Sequence, residues 1–223
     1  MKCFVLSLHR TGTKSLSELL TSLGMKTVHF PARHKRRDLQ AQIVGRETDL
    51  SFVTQVIRPV IDKCNAVADV PMPVLYRELF GLYPKAKFIL LNRPCADWVA
   101  SVRKSAGGRK FNPFERVQYW HYFPGRPESL DDLTDGELRR MRDDHVYQVT
   151  RFFTACGPAR LGQFTMGDIN CGAAIAQFLG HKSHDRLPTA AEKRKILCGI
   201  ERWNRNFKRI AVWPAQFVGR NNA

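Results

Sequence analysis

Between residues 9 and 17 the chain reads His-Arg-Thr-Gly-Thr-Lys-Ser-Leu-Ser, which puts two permanent cations (Arg10, Lys14), one glycine and four hydroxyls (Thr11, Thr13, Ser15, Ser17) into one short turn. An apolar run, Cys3–Leu8, precedes it, and a leucine-spaced run follows it. Backbone N–H groups at a helix start have no helical partner, and the helix dipole favours negative charge there, so a strand that turns through such a loop into a helix suits phosphate. A further cation, Arg93, stands at the end of another apolar run, Phe88–Leu91. Its planar fork can hold a phosphate through two parallel hydrogen bonds. The carboxyl end of a parallel strand is where open α/β sheets bind ligands.

These residues need a scaffold of alternating strands and helices. Cys3–Leu8 is too short for a helix and reads as a buried strand; Leu16, Leu19, Leu20 and Leu23 follow the i, i+3, i+4, i+7 spacing of a one-faced helix, closed by Gly24. Met25–Phe30 is predicted as a second strand, and 31–37 as a basic loop. A helix is predicted over 50–63, kinked or shortened by Pro59, then a weak strand over Ala66–Val70 and a helix starting at Pro71 or Pro73. Phe88–Leu91 is uniformly apolar, as a central parallel strand should be, and Pro94 opens the next helix. Residues 105–113 read as a loose, glycine-containing cover, followed by an aromatic cluster. A long charged helix over 135–153, a strand over 160–166, a helix to Leu179 and a basic helix near 189–210 complete the pattern. The expected fold class is α/β: three layers, α/β/α, around a mainly parallel sheet of four or five strands, in a single domain over 1–223.

Composition narrows the function classes. The 223 residues are 43% hydrophobic, ordinary for a globular chain, and the net charge is +16, which points to anionic partners. The densest cationic run is Arg33-His34-Lys35-Arg36-Arg37. No apolar run nears the roughly 18 residues of a membrane span, and the six-residue N-terminal run lacks a signal cleavage pattern. The six cysteines are scattered without a C-x-x-C pair and read as reduced thiols of a cytoplasmic protein. A peripheral membrane contact stays open on the charge alone.

A Walker A loop would read G-x-x-x-x-G-K-[ST], but here Thr13 separates Gly12 from Lys14-Ser15, and Ser7 stands where the first glycine belongs. The stretch LHRTGTKSLSELLTSLG instead resembles the 5′-phosphosulfate loop of sulfotransferases, which use 3′-phosphoadenosine-5′-phosphosulfate (PAPS) as donor. ILLNRPCADWVASVRKS is similar to that family's 3′-phosphate motif, an Arg at a strand end and a Ser on the next helix; Arg93 and Ser101 stand eight apart, as in the family. DVPMPVLYRELFGLYPKAKFILLNR and the stretch from Asp143 to Gly180 extend the resemblance over most of 1–180, leaving 181–223 as a basic helical extension.

The resemblance implies roles. Arg10 and the N–H groups of Thr11, Gly12, Thr13, Lys14 and Ser15, with the Thr13 and Ser15 hydroxyls, would hold the 5′-phosphate; Lys14 would reach the sulfonate; Arg93 and Ser101 would read the 3′-phosphate. PAPS would leave as 3′,5′-ADP (PAP), and the chemistry asks for no metal. The base position, a histidine in many members, is Asp69 here; an N-cap for the following helix is its other reading, and His29 is the runner-up base. His145 matches a family histidine of unassigned role. His181, His184 and Asp185 are too few for a metal site. Ser15 replaces the family's adenine-stacking Trp, and an R-K-G element is absent; Arg202, Arg205 or Lys208, beside Trp203 and Phe207, stand as substitutes. The partners implied are the nucleotide donor and a hydroxyl-bearing small molecule, glycan or lipid-linked acceptor, an amine being the lesser choice. Two other readings stay open on sequence: a small-molecule kinase, and a basic nucleic-acid-binding module using the aromatic cluster.

Overall fold

The computed structural model describes residues 1–168 and 170–181. The opening apolar run forms β1 (Cys3–Val5). It ends early because the Ser7 hydroxyl oxygen, rather than a backbone carbonyl, accepts the Leu91 N–H at 2.6 Å. Helix α1 (Thr13–Ser22) buries Leu16, Leu19 and Leu20, and the chain reverses at Gly24, whose φ of 83° an L side chain rarely adopts. Strand β2 (Thr27–His29) follows. The basic stretch is a hairpin rather than a loop, with β3 (Arg33–His34) antiparallel to β4 (Arg37–Asp38) and Lys35 turning the corner at φ 55°. Asp38 caps α2 (Leu39–Ile43), accepting from the Gln40 and Ala41 N–H groups.

Helix α3 (Leu50–Ile61) stops before residue 63, with Pro59 in its last turn. After β5 (Ala66–Ala68) the chain takes φ 71° at Asp69 and a cis Val70–Pro71 bond. A 3₁₀ turn at Met72–Val74 comes next, so α4 (Tyr76–Leu82) starts later than the prolines suggest. Strand β6 (Lys87–Asn92) leads into α5 (Cys95–Ala106) behind Pro94. Helices α6 (Pro113–Tyr122) and α7 (Asp135–Cys156), strand β7 (Leu161–Thr165) and α8 (Cys171–Phe178) follow.

The main sheet has five strands in the order β2-β5-β1-β6-β7, every neighbouring pair parallel. Alternate residues of β6 separate the layers. Phe88 and Leu90 pack with Ile57, Leu79, Phe114 and Phe153 on one face; Ile89 and Leu91 pack with Leu16, Leu20 and Ile175 on the other. The expected three-layer α/β/α class is therefore the fold that forms. The chain leaves β1 towards β2 on one side and leaves β6 towards β7 on the other, so the strand order reverses between β1 and β6, whose carboxyl ends flank the crevice where such sheets bind ligands.

The stretch expected to be loose is pinned. The Gly108 N–H reaches Asp131 Oδ2 at 3.0 Å, the Phe111 N–H reaches the Glu128 carbonyl at 2.7 Å, and the Phe111 ring stacks on Tyr119 at 4.1 Å. The proposed basic helix near 189–210, with Arg202, Trp203, Arg205, Phe207 and Lys208, lies outside the described residues, as do His184 and Asp185.

Candidate active site

The loop after β1 carries two left-handed residues, Arg10 (φ 66°) and Gly12 (φ 88°), which swing the chain from strand to helix within a few residues. Thr11 holds the turn: its N–H and its hydroxyl both donate to the Leu8 carbonyl, at 3.3 and 2.6 Å. Gly12 is the N-cap of α1 and brings no side chain to satisfy the first-turn N–H groups of Thr13, Lys14 and Ser15. Those donors end the helix uncapped, beside the exposed cations Arg10 and Lys14.

The second motif meets the first. Arg93 Nη1 donates to the Arg10 carbonyl at 2.9 Å, and Arg10 Nε lies 3.4 Å from Ser101 Oγ. Arg142, on α7, donates through Nη2 to the Arg93 carbonyl at 2.9 Å and fixes the backbone there. Burial pushes the Arg93 guanidinium below its ordinary value and Arg10 adds to that, while Asp97 opposes them; an anion placed between Arg10 and Arg93 would relieve their repulsion.

Asp69 and His29 also meet. Asp69 Oδ2 is 3.3 Å from His29 Nε2, with the side chains 16% and 30% exposed. Asp69 Oδ1 accepts the Val70 N–H at 2.9 Å, and no side chain caps the following 3₁₀ turn, so Asp69 is not the helix cap that its position suggests. His29 Nε2 is also 3.1 Å from the Thr13 hydroxyl, which ties the base candidates to the phosphate loop. Burial lowers the His29 pKa below its ordinary value, Asp69 and Glu18 acting against that and Lys14 with it.

The family model of the sulfotransferase domain matches residues 2–196. The chain belongs to the sulfotransferase-domain family. The match covers both phosphate-type motifs and runs past residue 180. Ava biosynthesis cluster protein M of Aspergillus versicolor is 32% identical over 111 residues, 47% of this chain; the match spans only 43% of that relative's length. Among solved structures, shikimate kinase from Bacteroides thetaiotaomicron aligns with TM-score 0.48 and 12% identity over 93% of this chain and 98% of its own. Mouse sulfotransferase SULT7A1 complexed with PAP aligns at 0.46 and 12% over 96% and 67%. A sulfotransferase from Alicyclobacillus acidocaldarius aligns at 0.46 and 14% over 94% of each chain.

Three buttressing contacts of the candidate site were not read from sequence, although His145 itself was matched there to a family histidine. His9 is buried beside Arg10; its Nε2 is 2.7 Å from the Tyr119 hydroxyl and its carbonyl accepts from Trp98 Nε1 at 2.9 Å, so α5 and α6 hold the start of the loop. His145, 1% exposed, donates from Nε2 to the Leu6 carbonyl at 2.6 Å. Its Nδ1 then accepts from the Tyr122 hydroxyl at 2.7 Å, which makes it a neutral buttress under the loop rather than a reacting group. Arg142 is the third. A lone His or Arg in a helical pattern carries no sequence signal of such contacts. Among the described residues no cluster of His, Cys, Asp and Glu could hold a metal ion, and no helix is long and apolar enough to cross a membrane.

Proposed function

We propose that this chain is a sulfotransferase that uses PAPS, releases PAP, and transfers to a hydroxyl of a small-molecule, glycan or lipid-linked acceptor, an amine being the lesser alternative. The observation that carries the reading is the 2.9 Å bond from Arg93 to the Arg10 carbonyl, together with Arg10 against Ser101. It joins the two cationic motifs into one site suited to two anions on a single ribose. A donor with phosphates at both the 3′ and 5′ positions matches that donor set; a kinase donor, with all its charge on one side of the ribose, does not need Arg93 and Ser101.

PAPS supplies the sulfonate group. Arg10 and the N–H groups of Gly12, Thr13, Lys14 and Ser15 hold the 5′-phosphate, Arg10 balancing the charge that grows on the leaving oxygen. Lys14 steadies the sulfonate, and Arg93 with Ser101 reads the 3′-phosphate. Asp69 receives the acceptor proton at Oδ2. No metal takes part. A second reading makes His29 the base, favoured by its part-exposed ring and by the burial that keeps that ring neutral near pH 7. Nucleic acid is not a proposed partner. The cytoplasm is the proposed compartment, supported by scattered, mostly buried thiols.

Thermal shift of the full chain with 3′,5′-ADP, with ATP and magnesium, and with an oligonucleotide tests the reading. The expected order puts 3′,5′-ADP first, without magnesium; greater stabilisation by ATP with magnesium overturns it.

A further inference from the structure

Ser17 and Thr21 of α1 donate their hydroxyl protons one turn back, to the Thr13 and Ser17 carbonyls at 2.9 and 2.8 Å. Thr13 opens the helix and has no such carbonyl. Four residues back is His9, set off by the left-handed Arg10 and Gly12, and its carbonyl already accepts from Trp98 Nε1. Thr13 is buried, and among the described residues its hydroxyl meets one partner, His29 Nε2 at 3.1 Å. A third group decides which of the two donates. Asp69 Oδ2 stands 3.3 Å from the same nitrogen, because His29 ends β2 opposite Ala68 of β5 and Asp69 is the next residue. A carboxylate oxygen offers only lone pairs, and burial keeps the ring neutral near pH 7 with a single N–H, so that proton belongs on Nε2 rather than on Nδ1. Thr13 Oγ1 is then the acceptor. Its own proton is left without a carbonyl, at the start of a helix whose first N–H groups have no side-chain cap. A buried donor of that kind calls for an acceptor, and an anion in the loop supplies one.

We infer that His29 is a positioning residue acting through Thr13: Nε2–H donates to Thr13 Oγ1 and so commits the hydroxyl proton to the anion that the loop holds. The inference takes the identity of that anion, a nucleotide 5′-phosphate, from the sulfotransferase reading. It joins the two halves of the site. An anion that accepts the Thr13 proton makes Oγ1 a better acceptor for His29, since chained hydrogen bonds strengthen one another. The link is reciprocal: the factor by which the phosphate raises the proton affinity of His29 is the factor by which a doubly protonated His29, the stronger donor, tightens the phosphate. The other charged groups that act on the ring are Asp69, after β5, and Lys14 and Glu18, on α1; all three remain when Thr13 is replaced.

The experiment follows the His29 ring nitrogens of the full chain by NMR, the His29→Gln chain identifying their signals among those of the seven histidines. The nucleotide-free chain is expected to show the Nε2–H tautomer; the Nδ1–H form overturns the inference. Saturating 5′-AMP or 3′,5′-ADP should raise the proton affinity of His29 about fivefold or more, read from its titration midpoint, and adenosine should not. Most of that rise should be lost in Thr13→Val at saturation and should return in Thr13→Ser, which keeps the hydroxyl. An undiminished rise in Thr13→Val is through-space attraction alone and overturns the inference. If 5′-AMP moves His29 but 3′,5′-ADP binds no more tightly than 5′-AMP, the inference stands and the proposed donor falls. If 3′,5′-ADP binds more tightly than 5′-AMP and His29 does not respond, the inference falls and the donor stands.

Discussion

Arg93 donates from Nη1 to the backbone carbonyl of Arg10 at 2.9 Å, so the residue proposed to read one phosphate also braces the loop proposed to hold the other. Arg93→Ala should therefore weaken 3′,5′-ADP strongly and 5′-AMP slightly. A hydrogen bond to a charged group contributes about 1.5–3 kcal/mol, so the loss for 3′,5′-ADP should be about tenfold or more. Calorimetric titration of both nucleotides checks this. Equal losses would reduce Arg93 to a brace.

Asp69→Asn keeps the size, the acceptor oxygen for the Val70 N–H and a residue type that tolerates φ 71°. Affinity for 3′,5′-ADP should stay within about twofold, while turnover falls by about 100-fold or more, the usual scale of a lost general base. His29→Gln should cost less than Asp69→Asn. The reverse order of losses, measured with a common acceptor, transfers the base role to His29.

The pH profile has a stated sign. Burial holds the His29 pKa below its ordinary value, so the ring is neutral at pH 7 and gains a proton only in acid. Protonation would place a cation against Asp69 Oδ2, so the rate should fall towards acid, in a range below that of an ordinary histidine. Affinity for 3′,5′-ADP, read in parallel, should not fall over that range, because the added charge is cationic. An acid limb that is unchanged in His29→Gln removes the His29–Asp69 pair from the step.

His145 makes a separate prediction about stability. Burial brings its pKa from 6.5 to about 4, the Leu6 carbonyl opposing this and His121 adding to it. The unfolded chain thus binds the proton more readily than the folded one. The stability contributed by the neutral ring is complete above about pH 6.5 and is lost as pH falls towards 4, by on the order of 3 kcal/mol. Urea unfolding at pH 7 and pH 4.5 should show a drop that is smaller in His145→Gln, whose side chain does not titrate. An equal drop in both chains contradicts the assignment.

Glu115 is buried on α6 and forms a two-pronged pair with Arg109 at 2.6 and 2.7 Å. Burial alone would raise its carboxyl; Arg109 and the Asn112 backbone overcome that and hold it below its ordinary value. Arg109→Ala should destabilise the chain by about 1–3 kcal/mol, because it leaves a buried charge short of partners, and adding Glu115→Gln should restore part of the loss. Chemical denaturation of the two variants measures this. No recovery in the double variant would mean that Arg109 acts through packing alone.

Much of this architecture was legible in the sequence because periodicity reports burial directly. The uniform run at Phe88–Leu91 became the central part of β6, and the leucine spacing from Leu16 became the buried face of α1. The phosphate loop was legible from its position between those signals. Pairings set by tertiary contact were not. The basic stretch at 33–37 forms its own hairpin, the 105–113 stretch is held by Asp131 and Glu128, and Asp69 turns from a cap candidate into a partner of His29. The hairpin is local but carries no alternating apolar pattern, and the other two sets of contacts join residues from separate elements.

The most direct measurement compares 3′,5′-ADP with its isomer 5′-ADP, calorimetrically and without magnesium, since the two differ in where the second phosphate sits. If Arg10 and Arg93 grip two anions on opposite sides of one ribose, 3′,5′-ADP should bind at least about tenfold more tightly. Equal affinity, or preference for 5′-ADP, would contradict the two-anion site and with it the proposed donor.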